Sequence, residues 1–231
     1  MTVAEMVKFK ANGGEAEGYL AKPASGKGPG VIVIQEWWGL IDQVKGVADM
    51  LAREGFATLA PDFYHGKGAK IGEPDAAQKL MMELFQANTA AKDARGAARY
   101  LAKHPATSSS KVGVVGFCMG GGLALLAAAE APEVIGAVVD CYGVGMNLDA
   151  TAAKIKAPVL GIFGGKDGGV SPQAVASLDK ILKSNGVRFE KHVYPEADHA
   201  FLNEQRKDVY RPADAKDAWS KILAFLKANV R

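Results

Sequence analysis

Short, uninterrupted apolar runs punctuate this chain, and between them apolar residues recur every three or four positions. Val31-Ile32-Val33-Ile34 is the clearest run. Four consecutive β-branched side chains leave no polar face, the pattern of a strand buried on both sides. Segments 56–60, 112–115, 134–140 and 158–163 have the same character, while 188–194 alternates apolar with polar. Helical periodicity fills 42–54, with Gly55 as its stop, then about 75–103 as one long helix closed by His104-Pro105. It returns at 123–130, at 172–184 before Asn185-Gly186, and at 212–229. Two opening segments, 3–9 and 15–21, with Asn12-Gly13-Gly14 between them, predict an antiparallel hairpin. Strands alternating with helices predict a three-layer α/β fold: a mostly parallel central sheet with helices on both faces, in one domain spanning 1–231.

Composition narrows the function classes. The chain has 231 residues, a hydrophobic fraction of 48% and a charged fraction of 23%, ordinary for a globular domain with a substantial core. A net charge of +3 without any Lys/Arg block argues against nucleic acid as a partner. Two cysteines, Cys118 and Cys141, make no disulfide framework, so a reducing, cytoplasmic setting is expected. No cationic segment leading into an apolar one opens the chain, so secretion is not expected. Residues 112–129 are uncharged over a membrane-spanning length, but five glycines interrupt them, each costing a helix about 1 kcal/mol. That stretch reads as strand, turn and helix, and no membrane association is expected.

The turn carries the chemistry. Gly116-Phe117-Cys118-Met119-Gly120 is G-x-C-x-G between a strand and a helix, the nucleophile-elbow pattern G-x-S-x-G with sulfur in place of oxygen. Glycine is needed at 116 and 120 because a Cβ there would crowd the sharp turn. The turn also places the thiol at a helix N-terminus, where partial positive charge favours thiolate. In open α/β sheets functional groups gather at the carboxyl ends of strands, so partners are sought there. Among the histidines, His104 closes a helix, His192 lies within a strand, and His65 follows the strand 56–60. His199, in the loop between the last strand and the last helix, has the best position for a general base. Asp167 follows the strand 158–163 and is the leading orienting acid, with Asp140 and Asp198 as competitors. The order Cys118, Asp167, His199 is the nucleophile–acid–base order of α/β-hydrolases. Glu36 ends the strand at 31–35, where a carboxylate could hold or accept the thiol proton. The N–H groups of Trp37 and Met119 are the expected oxyanion hole, and Trp37, Trp38, Phe63 and Tyr142 could wall an apolar substrate pocket.

These residues resemble the dienelactone hydrolase (carboxymethylenebutenolidase) family of α/β-hydrolases. The matching stretches are 31–36, Pro61-Asp62-Phe63-Tyr64, 111–121, Tyr142-Gly143-Val144-Gly145, Gly164-Gly165-Lys166-Asp167 and Ala197-Asp198-His199-Ala200-Phe201, so that the resemblance runs over nearly the whole chain. The resemblance implies Cys118 as nucleophile, His199 as base, Asp167 as its orienter and Glu36 as the thiol's partner. It further implies cleavage of an enol-lactone or activated ester through a thioacyl-enzyme, with no metal and no cofactor, in a monomer or small homo-oligomer. Three departures bear on substrate. The family's best-known members carry an arginine for the substrate carboxylate four residues after the histidine, where this chain has Asn203, and a hydroxyl residue directly after it, where this chain has Ala200. They carry a second arginine early in the long helix, replaced here by Asp75 or another non-basic residue. Asn203 is then the expected substrate contact, with little preference for carboxylated lactones, although Arg206 or Arg211 could supply an anion contact.

Two rival readings use the same features. Class I glutamine amidotransferases also place G-x-C-x-G at an elbow, but need a late His-x-Glu that His199-Ala200-Phe201 lacks. A non-catalytic ligand-binding domain with a vestigial site would have no reason to keep Cys, Asp, His and Glu in register.

Overall fold

A computed structural model describes residues 2–11, 14–145 and 147–231. Eight strands form one sheet in the order β1-β2-β4-β3-β5-β6-β7-β8. β1 (Val3–Ala11) and β2 (Gly14–Lys22) pair antiparallel, as predicted for the opening hairpin, and the Asn12-Gly13 part of the expected turn lies outside the described residues. β2 pairs antiparallel with β4 (Ala57–Pro61). From β4 onward through β3 (Gly30–Ile34), β5 (Val112–Phe117), β6 (Ile135–Cys141), β7 (Val159–Gly164) and β8 (Phe189–Tyr194) every pairing is parallel. This is the mostly parallel sheet, covered on both faces, that the periodicity predicts.

Alternate residues of the same strands feed two different cores, because side chains along a strand point to opposite faces. Ile32, Ile34, Val112 and Val114 pack with α3 (Ala90–Lys103), α4 (Met119–Glu130) and α6 (Pro172–Ser184). Val31, Val33, Val115 and Phe117 pack with α1 (Asp42–Arg53) and α7 (Pro212–Asn229). All five residues of β3 are buried, which explains why no polar position interrupts its apolar run.

The long helix expected over about 75–103 is instead two helices, α2 (Pro74–Ala87) and α3. Asn88 separates them with φ 52° and ψ 37°, a left-handed conformation that Asn tolerates better than most residues. Apolar spacing continues through the break, so periodicity alone does not mark it. A short helix, α5 (Leu148–Ala152), follows β6 without a sequence signal strong enough to predict it. Among the described residues no helix is long and apolar enough to cross a membrane.

Candidate active site

The parallel strands deliver their carboxyl ends to one rim, and the chemistry-bearing residues collect there. β5 ends at Phe117, α4 begins at Met119, and Cys118 between them has φ 55°. A non-glycine residue held there costs about 1–3 kcal/mol, which the surrounding packing must supply. The two glycines of the elbow are required by contact. A Cβ on Gly116 would overlap the Gly120 carbonyl, and one on Gly120 would fall 2.5 Å from the Gln35 carbonyl. The Cys118 N–H donates to the Cys141 carbonyl at 3.0 Å, tying the elbow to β6. Met119 opens α4, so its N–H is one of the donors a helix cannot satisfy internally.

Asp167 stands just beyond β7 and is buried. Its Oδ1 accepts from the N–H groups of Gly169 (2.7 Å) and Val170 (2.8 Å), and its Oδ2 lies 2.7 Å from His199 Nδ1. Burial opposes ionisation of this carboxyl, but the His199 bond, the imidazole charge and the two N–H groups outweigh it and hold its pKa low. His199 sits between β8 and α7. Burial disfavours its charged ring, yet the bond to Asp167, the influence of the nearby Cys118 sulfur and the charges of both raise its pKa to about 10. The Tyr142 ring meets the imidazole edge-on at 5.1 Å between centroids. The remaining histidines go elsewhere: His65 to Asp93, His192 to Glu190, and His104 to the Ala106 N–H. The competing acid Asp140 is wholly buried, accepts from the Gly143 N–H at 2.9 Å, and is pushed up to about 8 by burial.

Glu36 differs from expectation in its partners. Its Oε1 accepts from the Tyr142 hydroxyl at 3.2 Å and its Oε2 from Asn203 Nδ2 at 3.0 Å, so each oxygen has a partner other than the sulfur. Burial raises its pKa, against the pull of Asn203, His199 and Tyr142. Asn203 is correspondingly not a wall of the cleft. It is fully buried, with its amide on Glu36 and its Oδ1 on the Gln205 N–H. Phe63 is likewise absorbed by the core beside Ile34 and Leu84. Trp37, Trp38 and Tyr142 do reach the cleft, an opening of about 380 Å³ that Glu36, Cys118, Met119 and His199 also line.

Met81 of α2, Gly169 and Val170 line the cleft without any motif that would single them out, beside Val144 of a family-like stretch and the candidate anion contact Arg206. Arg206 forks onto Asp208 through Nε (2.9 Å) and Nη2 (2.6 Å), which uses two of its five N–H donors. Arg211 pairs with Asp214 and is not among the residues lining the cleft. Tyr64, within a family-like stretch, donates its hydroxyl to the Trp37 carbonyl at 3.0 Å and so braces the loop that presents the Trp37 N–H.

The sequence profile of the dienelactone hydrolase family matches residues 16–230. The chain belongs to the dienelactone hydrolase family. A protein of Aquifex aeolicus named "Putative carboxymethylenebutenolidase" is 38% identical to it, over 98% of this chain and 99% of that one. "Protein usf" of Aquifex pyrophilus is 43% identical, over 96% of this chain and 97% of that one. Among solved structures, a "Putative Dienelactone Hydrolase" from Klebsiella pneumoniae superposes with a TM-score of 0.87 at 29% identity, covering 98% of this chain and 99% of that one. This family member therefore has the α/β-hydrolase fold and is a hydrolase of carboxylic esters.

Proposed function

We propose that this dienelactone hydrolase family member cleaves activated esters or enol-lactones with Cys118 as nucleophile, through a thioacyl-enzyme. The observation that carries the reading is the line Cys118–His199–Asp167, with the sulfur on a strained elbow and the imidazole bonded at Nδ1 to a buried carboxylate. With its pKa raised to about 10, His199 holds the thiol proton before attack, and Cys118 Sγ attacks the carbonyl carbon as the thiolate. The N–H groups of Trp37 and Met119 receive the developing oxyanion. Collapse of that intermediate breaks the bond to the leaving oxygen, which accepts the proton from His199. Water then attacks the thioester with His199 as base, the C–S bond breaks, and the acid is released. The thiol proton is assigned to His199 and not to Glu36, because both Glu36 oxygens are held by Tyr142 and Asn203. A reducing, cytoplasmic setting suits a mechanism that depends on a free thiol.

Asp167 holds the imidazole in the tautomer that presents Nε2 to the reaction. Asp167→Asn is expected to lower kcat/KM by about 10²–10⁴, less than loss of His199 itself. It should also move the alkaline limb of the pH profile. The imidazolium is needed to protonate the leaving group and exists only below its pKa, so kcat/KM for wild type should fall as pH rises through about 10. Without the carboxylate the limb shifts to lower pH. An unchanged limb and rate in Asp167→Asn would remove Asp167 from the mechanism.

Arg206 changes the expectation about substrate charge. With its guanidinium in the cleft wall, a substrate carboxylate has a charge-assisted partner despite Asn203. The test compares kcat/KM for a dienelactone with that for an uncharged aryl ester in wild type and Arg206→Gln. The expected outcome is a 10- to 100-fold loss for the dienelactone alone, about 1.4–2.7 kcal/mol. An equal loss on both substrates would make Arg206 structural.

A further inference from the structure

A second cavity, of about 290 Å³, meets the catalytic cleft at Cys118 and is not used by the reaction as described. Its walls are Met81, Leu84 and Phe85 of α2, Ala91 of α3, and Leu123 and Leu126 of α4. Among the described residues no charged side chain lines it, and its polar members are Asn88 and the Cys118 thiol. Asn88, the left-handed residue between α2 and α3, is itself one of the lining residues, so the cavity lies at that break. Met81, Cys118, Met119 and Val144 line both spaces, so the sulfur stands at a junction of two limbs. His199, Glu36 and Arg206 line only the first.

That asymmetry orients a substrate. The leaving oxygen must lie within reach of His199 to receive its proton, which places the alcohol part in the polar limb. The oxyanion points at the N–H groups of Trp37 and Met119. The remaining substituent of the carbonyl carbon, the acyl chain, is left facing the apolar limb. We propose that this second cavity is the acyl pocket, and that the enzyme prefers esters of unbranched apolar acids of roughly six to eight carbons, which at about 30 Å³ per water-sized group fill most but not all of it. This assignment rests on the Cys118 thioacyl reading given above.

The experiment is a chain-length series of p-nitrophenyl esters, from acetyl to dodecanoyl, with kcat/KM as the readout. Burial of each methylene should raise kcat/KM roughly three- to fourfold, on the order of 100-fold between acetyl and hexanoyl, with a fall beyond octanoyl. Ala91→Phe places a ring in the limb, and the hexanoyl-to-acetyl ratio should collapse towards one. Phe85→Ala lengthens it, and the optimum should move to longer chains, which keeps the test decisive if Ala91→Phe does not fold. A flat chain-length profile in wild type, or a ratio unmoved in both variants, would overturn the acyl-pocket assignment and leave the hydrolase reading intact. Turnover of no ester, with no acyl group found on Cys118, would overturn both.

Discussion

Cys118→Ala is expected to lower ester hydrolysis by about 10⁴-fold or more, with the fold unchanged. Alanine keeps the backbone conformation and removes only the sulfur, so the elbow strain at φ 55° is not relieved and the neighbouring packing is barely altered. Loss of the sulfur does remove one of the influences that raise the imidazole. Selective labelling gives an independent readout. Cys141 is fully buried, and burial pushes its thiol well above the ordinary range, whereas Cys118 opens onto two cavities. Iodoacetamide should therefore add one carbamidomethyl group, at Cys118, and abolish activity in proportion. Cys118→Ser should retain weak activity, since a hydroxyl is a far poorer nucleophile beside the same base. Undiminished turnover by Cys118→Ala would remove the mechanism as a whole.

The centre of the sheet is legible in the chain because strands β3 to β7 are buried on both faces, which makes them short, largely apolar runs, as in β3. The elbow is legible because close backbone contacts at Gly116 and Gly120 permit nothing larger than glycine. Asp167 and His199 are found by a topological rule, that loops after parallel strands share one rim, so distance along the chain does not matter. What stays hidden depends on which side of that rim a side chain faces. Phe63 and Asn203 sit close in sequence to functional stretches, yet the first turns into the core and the second onto Glu36. Arg206 lies in an irregular loop with no periodicity to orient it, and only the structure puts it in the cleft. The α2–α3 break has the same character. One residue changes its backbone conformation while the apolar spacing runs on, and that residue lines the cavity beside Cys118.

His199→Ala should accumulate a thioacyl-enzyme. Two steps need this imidazole, and they need it unequally. In acylation a sulfur nucleophile can still form a few per cent of thiolate near neutral pH without its base, so attack on an activated ester continues slowly. In deacylation the nucleophile is water, whose proton must be removed as it attacks, and nothing else lining the cleft is placed for that work. Glu36 is held by Tyr142 and Asn203, and burial keeps its carboxyl towards the neutral form. Loss of the base should therefore slow the second step more than the first, with steady-state turnover down by about 10²–10⁴ or more. Mixing His199→Ala with an aryl ester should release one equivalent of phenol and then stall. Intact-mass measurement should find the acyl group as an added mass, and peptide mapping should place it on Cys118. A variant that turns over slowly without any adduct would mean that acylation, not deacylation, limits, and that the division of labour between Cys118 and His199 argued here is wrong.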